Sequence, residues 1–165
     1  MKKNILFILL IASFISYGKM RKVDSSQLLD KNGVSYVKRE ASPFTGMAIY
    51  NKDREFYANG KPNGKWLTFY ENGKIKSIEN WRNGFLNGKY VLYKEDGSKI
   101  FETSYLNGDD NGTFKLYHNN GRPHIVGYFV KGNPSGTWNY YDDKGKLIGV
   151  NNYGKKTNKF FDQKK

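Results

Sequence analysis

From Tyr57 to Tyr153 apolar, polar and glycine positions return in the same order every 24 residues. Gly60, Gly84, Gly108 and Gly132 stand 24 apart, as do Gly64, Gly88, Gly112 and Gly136, and again Gly73, Gly97, Gly121 and Gly145. The aromatics keep the same step. Trp66, Tyr90, Phe114 and Trp138 follow the second glycine of each unit, Phe69, Tyr93, Tyr117 and Tyr141 come shortly after, and Trp81, Tyr105, Phe129 and Tyr153 close it. A fixed period of this length marks a repeat architecture, in which each unit buries its apolar surface only against its neighbours.

Within a unit, apolar side chains alternate with polar ones on either side of a glycine turn, the pattern of a two-strand hairpin. Asn72-Gly73, Asp96-Gly97 and Asn120-Gly121 are expected to form its tight turn, with Lys144-Gly145 a weaker member of the series. The stretch Asn59 to Gly64, and those starting at Asn83, Asn107 and Lys131, read as longer links to the next hairpin. The expected fold class is all-β: an elongated single-layer antiparallel repeat sheet of 24-residue hairpin units, each advancing the sheet by roughly 10 Å.

Pleating then sorts the side chains. One face carries Trp66, Thr68, Tyr90, Leu92, Phe114, Leu116, Trp138 and Tyr140 and is expected to be the core side. The other carries Leu67, Val91, Lys115 and Asn139 beside a ring column of Phe69, Tyr93, Tyr117 and Tyr141. That column is the candidate binding surface; the competing reading is cross-strand aromatic pairing that holds a thin sheet together.

The flanks are of other kinds. Lys2 and Lys3, the apolar run Ile5 to Ile15, and Ser16-Tyr17-Gly18 predict an export signal over residues 1–18, since the run is too short to span a bilayer as a helix. Residues 19–27 are polar without periodicity and predict a flexible leader. Residues 28–56 look like degenerate N-terminal capping repeats, and 154–165 like a truncated repeat with a basic tail. Phe160 is expected at the place of Trp66. Without the signal, 26 basic residues face 15 acidic ones, a net charge of +11 that favours acidic partners. The protein is expected in the periplasm or outside the cell, with no transmembrane segment in the mature chain.

The chain has no cysteine, which removes disulfides, a lipid-modified cysteine and a thiol nucleophile together. It has no Gly-x-Ser-x-Gly elbow and no phosphate loop ending in Gly-Lys-Ser/Thr. His118 and His124 flank one turn and face each other across a hairpin, but two imidazoles without a third ligand seldom hold zinc. Glu71, Glu95 and Asp143 recur at turns as solvated charge. No enzyme, cofactor or metal is expected.

The unit Gly64-Lys-Trp-Leu-Thr-Phe-Tyr-Glu-Asn-Gly-Lys74, followed by a strand ending in an aromatic and Asn-Gly-x-x-Asn-Gly, resembles the bacterial variant of the MORN repeat. Long runs of such units resemble the YwqK family of toxin–antitoxin antitoxins. The resemblance implies a twisted open sheet used as an interaction surface, in some relatives beside membranes. The expected function is an exported non-catalytic scaffold for protein–protein interaction, antitoxin or immunity-like. The alternative is an envelope-associated binder of anionic lipid, lipopolysaccharide or acidic polysaccharide; nucleic acid is not expected.

Overall fold

In the computed structural model the described residues are 20–154 and 157–160, with side chains to 154. The expected signal and most of the basic tail lie outside them. Ahead of the first unit come β1 (Lys22–Asp24), a 3-10 turn at Ser25–Gln27, β2 (Leu28–Lys31), β3 (Val34–Val37), β4 (Gly46–Tyr50) and β5 (Asp53–Ala58). Each unit then adds one short strand and one hairpin. These are β6 (Lys61–Pro62) with β7 (Gly64–Phe69) and β8 (Ile75–Arg82), then β9 (Phe85–Leu86) with β10 (Gly88–Tyr93) and β11 (Lys99–Leu106). The third set is β12 (Asp109–Asp110) with β13 (Gly112–Tyr117) and β14 (Pro123–Val130). In the last unit the short strand merges into β15 (Asn133–Tyr141), which pairs with β16 (Leu147–Tyr153) before β17 (Thr157–Phe160) closes the sheet.

One sheet runs β1-β4-β5-β7-β8-β10-β11-β13-β14-β15-β16-β17, with β6, β9 and β12 folded back onto β5, β8 and β11. Every pairing is antiparallel except β1 on β4. The expected all-β repeat sheet is therefore what forms. Each of the four unit hairpins carries one bulge at the same place, after Thr68, Leu92, Leu116 and Tyr140. The bulge slips the register by one residue, so Phe69, Tyr93, Tyr117 and Tyr141 pair with Ile75, Lys99, Pro123 and Leu147.

The two kinds of turn are the reverse of the expectation. The tight two-residue turns needing positive φ at both positions are Asn59-Gly60, Asn83-Gly84, Asn107-Gly108 and Lys131-Gly132, where φ lies between 48° and 93°. They close β5 to β6, β8 to β9, β11 to β12 and β14 to β15. At residues 70–74 only Gly73 has positive φ. Asn72 instead accepts the Lys74 amide on its own side chain, a local bond that competes with the left-handed conformation. Gly84 holds φ +88°, and a Cβ there would meet nothing nearer than 3.8 Å, so Gly84→Val is expected to cost backbone strain alone. A loss of about 1 to 3 kcal/mol should appear in a denaturant titration.

The leader is also corrected. Val23 is buried, and β1 adds to the sheet edge because Met47 N–H donates to the Arg21 carbonyl and the Asp24 side chain caps the following 3-10 turn. Val23, Val37, Phe44 and Ala48 form a buried core here, with Leu28 and Tyr57 against it. The cap thus holds a concentrated core, whereas the units spread theirs along the sheet. At the other end Lys159 pairs with Val150 as Val91 pairs with Ile78, so Asn158, not Phe160, takes the place of Trp66.

Candidate functional site

Register fixes what each face presents. On the first face the closing aromatic of each unit meets its first-strand aromatic: Trp66 with Trp81 at 5.1 Å, Tyr90 with Tyr105 at 6.2 Å, Phe114 with Phe129 at 5.7 Å and Trp138 with Tyr153 at 5.8 Å. Between units, Phe101 bridges Tyr90 and Phe114, and Trp138 reaches both Phe114 and Phe129. The direct reach exists because Gly127 lies under the Trp138 ring, where a Cβ would stand 2.1 Å from it. Both indoles at this position donate ten residues back, Trp66 to the Phe56 carbonyl and Trp138 to the Tyr128 carbonyl. Trp138 is buried; Trp66, Tyr90 and Phe114 are half-buried, since a single sheet has no second layer to cover them. Between the rings of the first and second hairpins stands Glu79, which accepts from Trp81 Nε1 at 2.9 Å and from Ser77.

The opposite face carries the bases Arg54, Lys65, Lys89, Lys99 and Lys115, each paired within the sheet. The predicted column of Phe69, Tyr93, Tyr117 and Tyr141 lies on this face and is half-buried. Among the described residues its rings do not touch one another, because the side chains of the return strands separate them. A stacked ladder therefore exists, but on the other side of the sheet. What the column does supply is anchoring. Tyr117 donates to Glu102 at 2.6 Å, and the Tyr93 and Tyr141 carbonyls pair with Tyr70 and His118 of the preceding hairpin.

Glu102 is the centre of this face. It stands in a slot that is Ile78, Val126 and Val150 in the other hairpins, opposite Lys115, which replaces Val91. Only 9% of it is exposed, yet Lys89 and Lys99 approach it at 2.8 and 2.9 Å, and Lys115 stands at 4.0 Å. Burial alone would raise its carboxyl; hydrogen bonds from Lys89, Tyr117 and Lys99 outweigh that and hold it down at about 2, against an ordinary 4.5. The Tyr117 hydroxyl is pushed up by burial and by this carboxylate. A depressed carboxyl contributes stability above its unfolded value and loses it as pH falls through the folded one. Acidification from about pH 4.5 to 2 should therefore remove on the order of 2 kcal/mol, discounted for the solvent-exposed lysines. Glu102→Gln should flatten that part of the pH–stability curve, and an unchanged curve would refute the assignment.

The hairpin tips form a third surface. Asn72 and Asn120 each accept a local amide and donate Nδ2 onward to the carbonyls of Glu95 and Asp143, while Lys74 and Arg122 reach the carbonyls of Asp96 and Lys144. The Asp96 side chain has no amide hydrogens to pass on and accepts from Ser98, two residues along its own turn. Between the second and third tips the side-chain link is instead Lys94 to Asn119. His118 and His124 do stack, with centroids 4.2 Å apart, and burial and then His118 lower the His124 imidazole. Among the described residues no three acidic or histidine side chains gather as metal ligands.

The class these features define is a β-hairpin repeat protein with two chemically unlike faces. Residues 62–83 match the family model described as MORN repeat variant, and the positions of that unit recur at the 24-residue step through Tyr153. No curated protein matches the chain. Among solved structures, a chain of the Glycosylation Associate Protein (Gap123) complex from Streptococcus agalactiae is similar at 17% identity and a TM-score of 0.37. The similarity covers 79% of this chain and 23% of that one. Among the described residues no helix is long and apolar enough to cross a membrane.

Proposed function

We propose that the protein is an exported, non-catalytic repeat scaffold that holds a partner protein against its basic face, in the manner of an antitoxin or immunity protein of the YwqK type. The observation that carries this reading is the division of the sheet. One face spends its aromatics on packing between units, whereas the other keeps half-buried tyrosines beside lysines that the fold leaves solvated. Tyrosines bring large contact area at low entropic cost, and flanking charge selects the partner.

The test is retention of a single stoichiometric protein from fractionated envelope by the immobilised chain. Tyr93→Ala with Tyr141→Ala should weaken that complex by tenfold or more, about 1.4 kcal/mol or above, in a variant that still folds. Equal retention by the variant would move the interface elsewhere. A second reading is favoured by the gathering of Arg54, Lys65, Lys89, Lys99 and Lys115 on one face: the ligand there is an anionic component of the envelope.

A further inference from the structure

The Glu102 slot is where the repeat departs from its own apolar rule, and it faces Lys115, whose slot is Leu67 and Val91 in the earlier hairpins and Asn139 in the last. A buried carboxylate with one lysine would be neutral. This one has three, so the patch keeps two positive charges in excess at the middle of the sheet. Beside it lies an open pocket of about 200 Å³ lined by Lys89, Glu102, Thr103, Ser104, Thr113 and Lys115. Register extends the pocket into a track: Lys89 pairs with Ser104 and Thr113 with Tyr128, so a cation, two hydroxyls and a ring follow one another over four strands, roughly 14 Å. Tyr128 is 46% exposed and ends the track as an accessible ring.

We propose that this track binds an acidic polysaccharide, with Lys89 and Lys115 taking the anionic group of one sugar, Ser104 and Thr113 meeting ring hydroxyls, and Tyr128 stacking on the next sugar. The proposal rests on the reading that the basic face takes an anionic envelope ligand, and adds its location and chemical class. Hydroxyls, not apolar side chains, stand between the cations and the ring, which suits a hydroxyl-rich chain and offers a lipid tail nothing to enter. The track is about as long as a short run of sugars. Glu102 acts as a resident counter-ion: it keeps the lysines in place when no ligand is bound and competes with the ligand for their charge.

The test is titration of the purified protein with a short oligogalacturonate, with its fully methyl-esterified form, and with phosphatidylglycerol vesicles. The acid form should bind, more weakly as salt rises, and the ester should bind at least about tenfold more weakly. Lys89→Gln with Lys115→Gln should lose about tenfold or more, two charge-assisted contacts being removed. Because that variant strands Glu102, the triple variant with Glu102→Gln is made alongside it and should be equally weak while folding normally. Glu102→Gln alone should bind several-fold more tightly, an outcome that a purely structural carboxylate would not give. Lys144→Gln, at a hairpin tip, should change nothing. Binding of the acid form unaltered in the double and triple variants would overturn the site while leaving an anionic ligand on the basic face. Binding of vesicles alone would overturn the polysaccharide, and binding of neither would remove the anionic reading altogether.

Discussion

Trp138→Ala is expected to lower stability by about 3 to 5 kcal/mol, the range for truncating a buried aromatic. The ring is 7% exposed and packs against Phe114, Phe129 and Tyr153, with centroids 5.0 to 5.8 Å away. Its removal leaves a cavity over Gly127, which has no side chain to move into it, and strips the Tyr128 carbonyl of its indole donor. In a repeat array stability is close to a sum of units and the interfaces between them. Trp138 belongs to two interfaces at once, so its loss should also broaden the transition. Tyr90, half-buried and without an equivalent of the bare Gly127 surface, should cost less on the same substitution. Urea titrations of both variants decide it; equal losses would mean that the Trp138 ring is no better packed than the others.

The second large effect is expected at Gly60. Its φ is +74°, and a Cβ there would stand 2.4 Å from Val34 Cγ1 and 2.8 Å from the Ser35 carbonyl. The Gly60 amide donates to the Phe44 carbonyl, and its own carbonyl accepts from Ser35, so this residue ties the β2–β3 hairpin and the cap core to the sheet. Gly60→Val combines backbone strain with overpacking against main chain, together about 3 to 5 kcal/mol. Gly132 occupies the same place in the last unit with φ +75° and nothing within 4 Å, so Gly132→Val should show the strain alone. The difference between the two melts isolates the packing of the cap. If Gly132→Val costs as much, the close approach at Gly60 contributes nothing.

The fold was legible because glycine and aromatic positions carry it directly. All twelve glycines of the repeating grid have positive φ, and the first-strand and closing aromatics meet within each unit. What the sequence hid depends on competition between equals. Asn-Gly occurs at both bends, and only the local bond from the Asn72 side chain to Lys74 shows why that bend is not the one with two left-handed residues. The ring column shares one face, but bulges and return strands keep its rings apart, which a period alone does not reveal. Glu102 stands inside a strand, away from the turns where the chain's other recurring carboxylates lie. Its signal was present as an acid in a column of Ile78, Val126 and Val150. Gly127 was outside the grid, and only the neighbouring indole explains it. The leader offered no periodicity because a single buried Val23 and a few backbone bonds suffice to hold it.

The hydrogen-bonded chain along the hairpin tips has a consequence for how the molecule comes apart. Asparagine side chains join the first tip to the second and the third to the fourth, whereas among the described residues the side-chain hydrogen bond from the second tip to the third is that of Lys94 to Asn119. The Glu102 cluster sits across that same seam. That seam is held by the pairing of β11 with β13 and by the Phe101–Phe114 ring contact, and to these the Glu102 cluster adds charge from Lys115 and a hydrogen bond from Tyr117. Amide exchange in acid should then quicken first at β11 and β13, so that the molecule carries at its middle a joint whose strength follows pH.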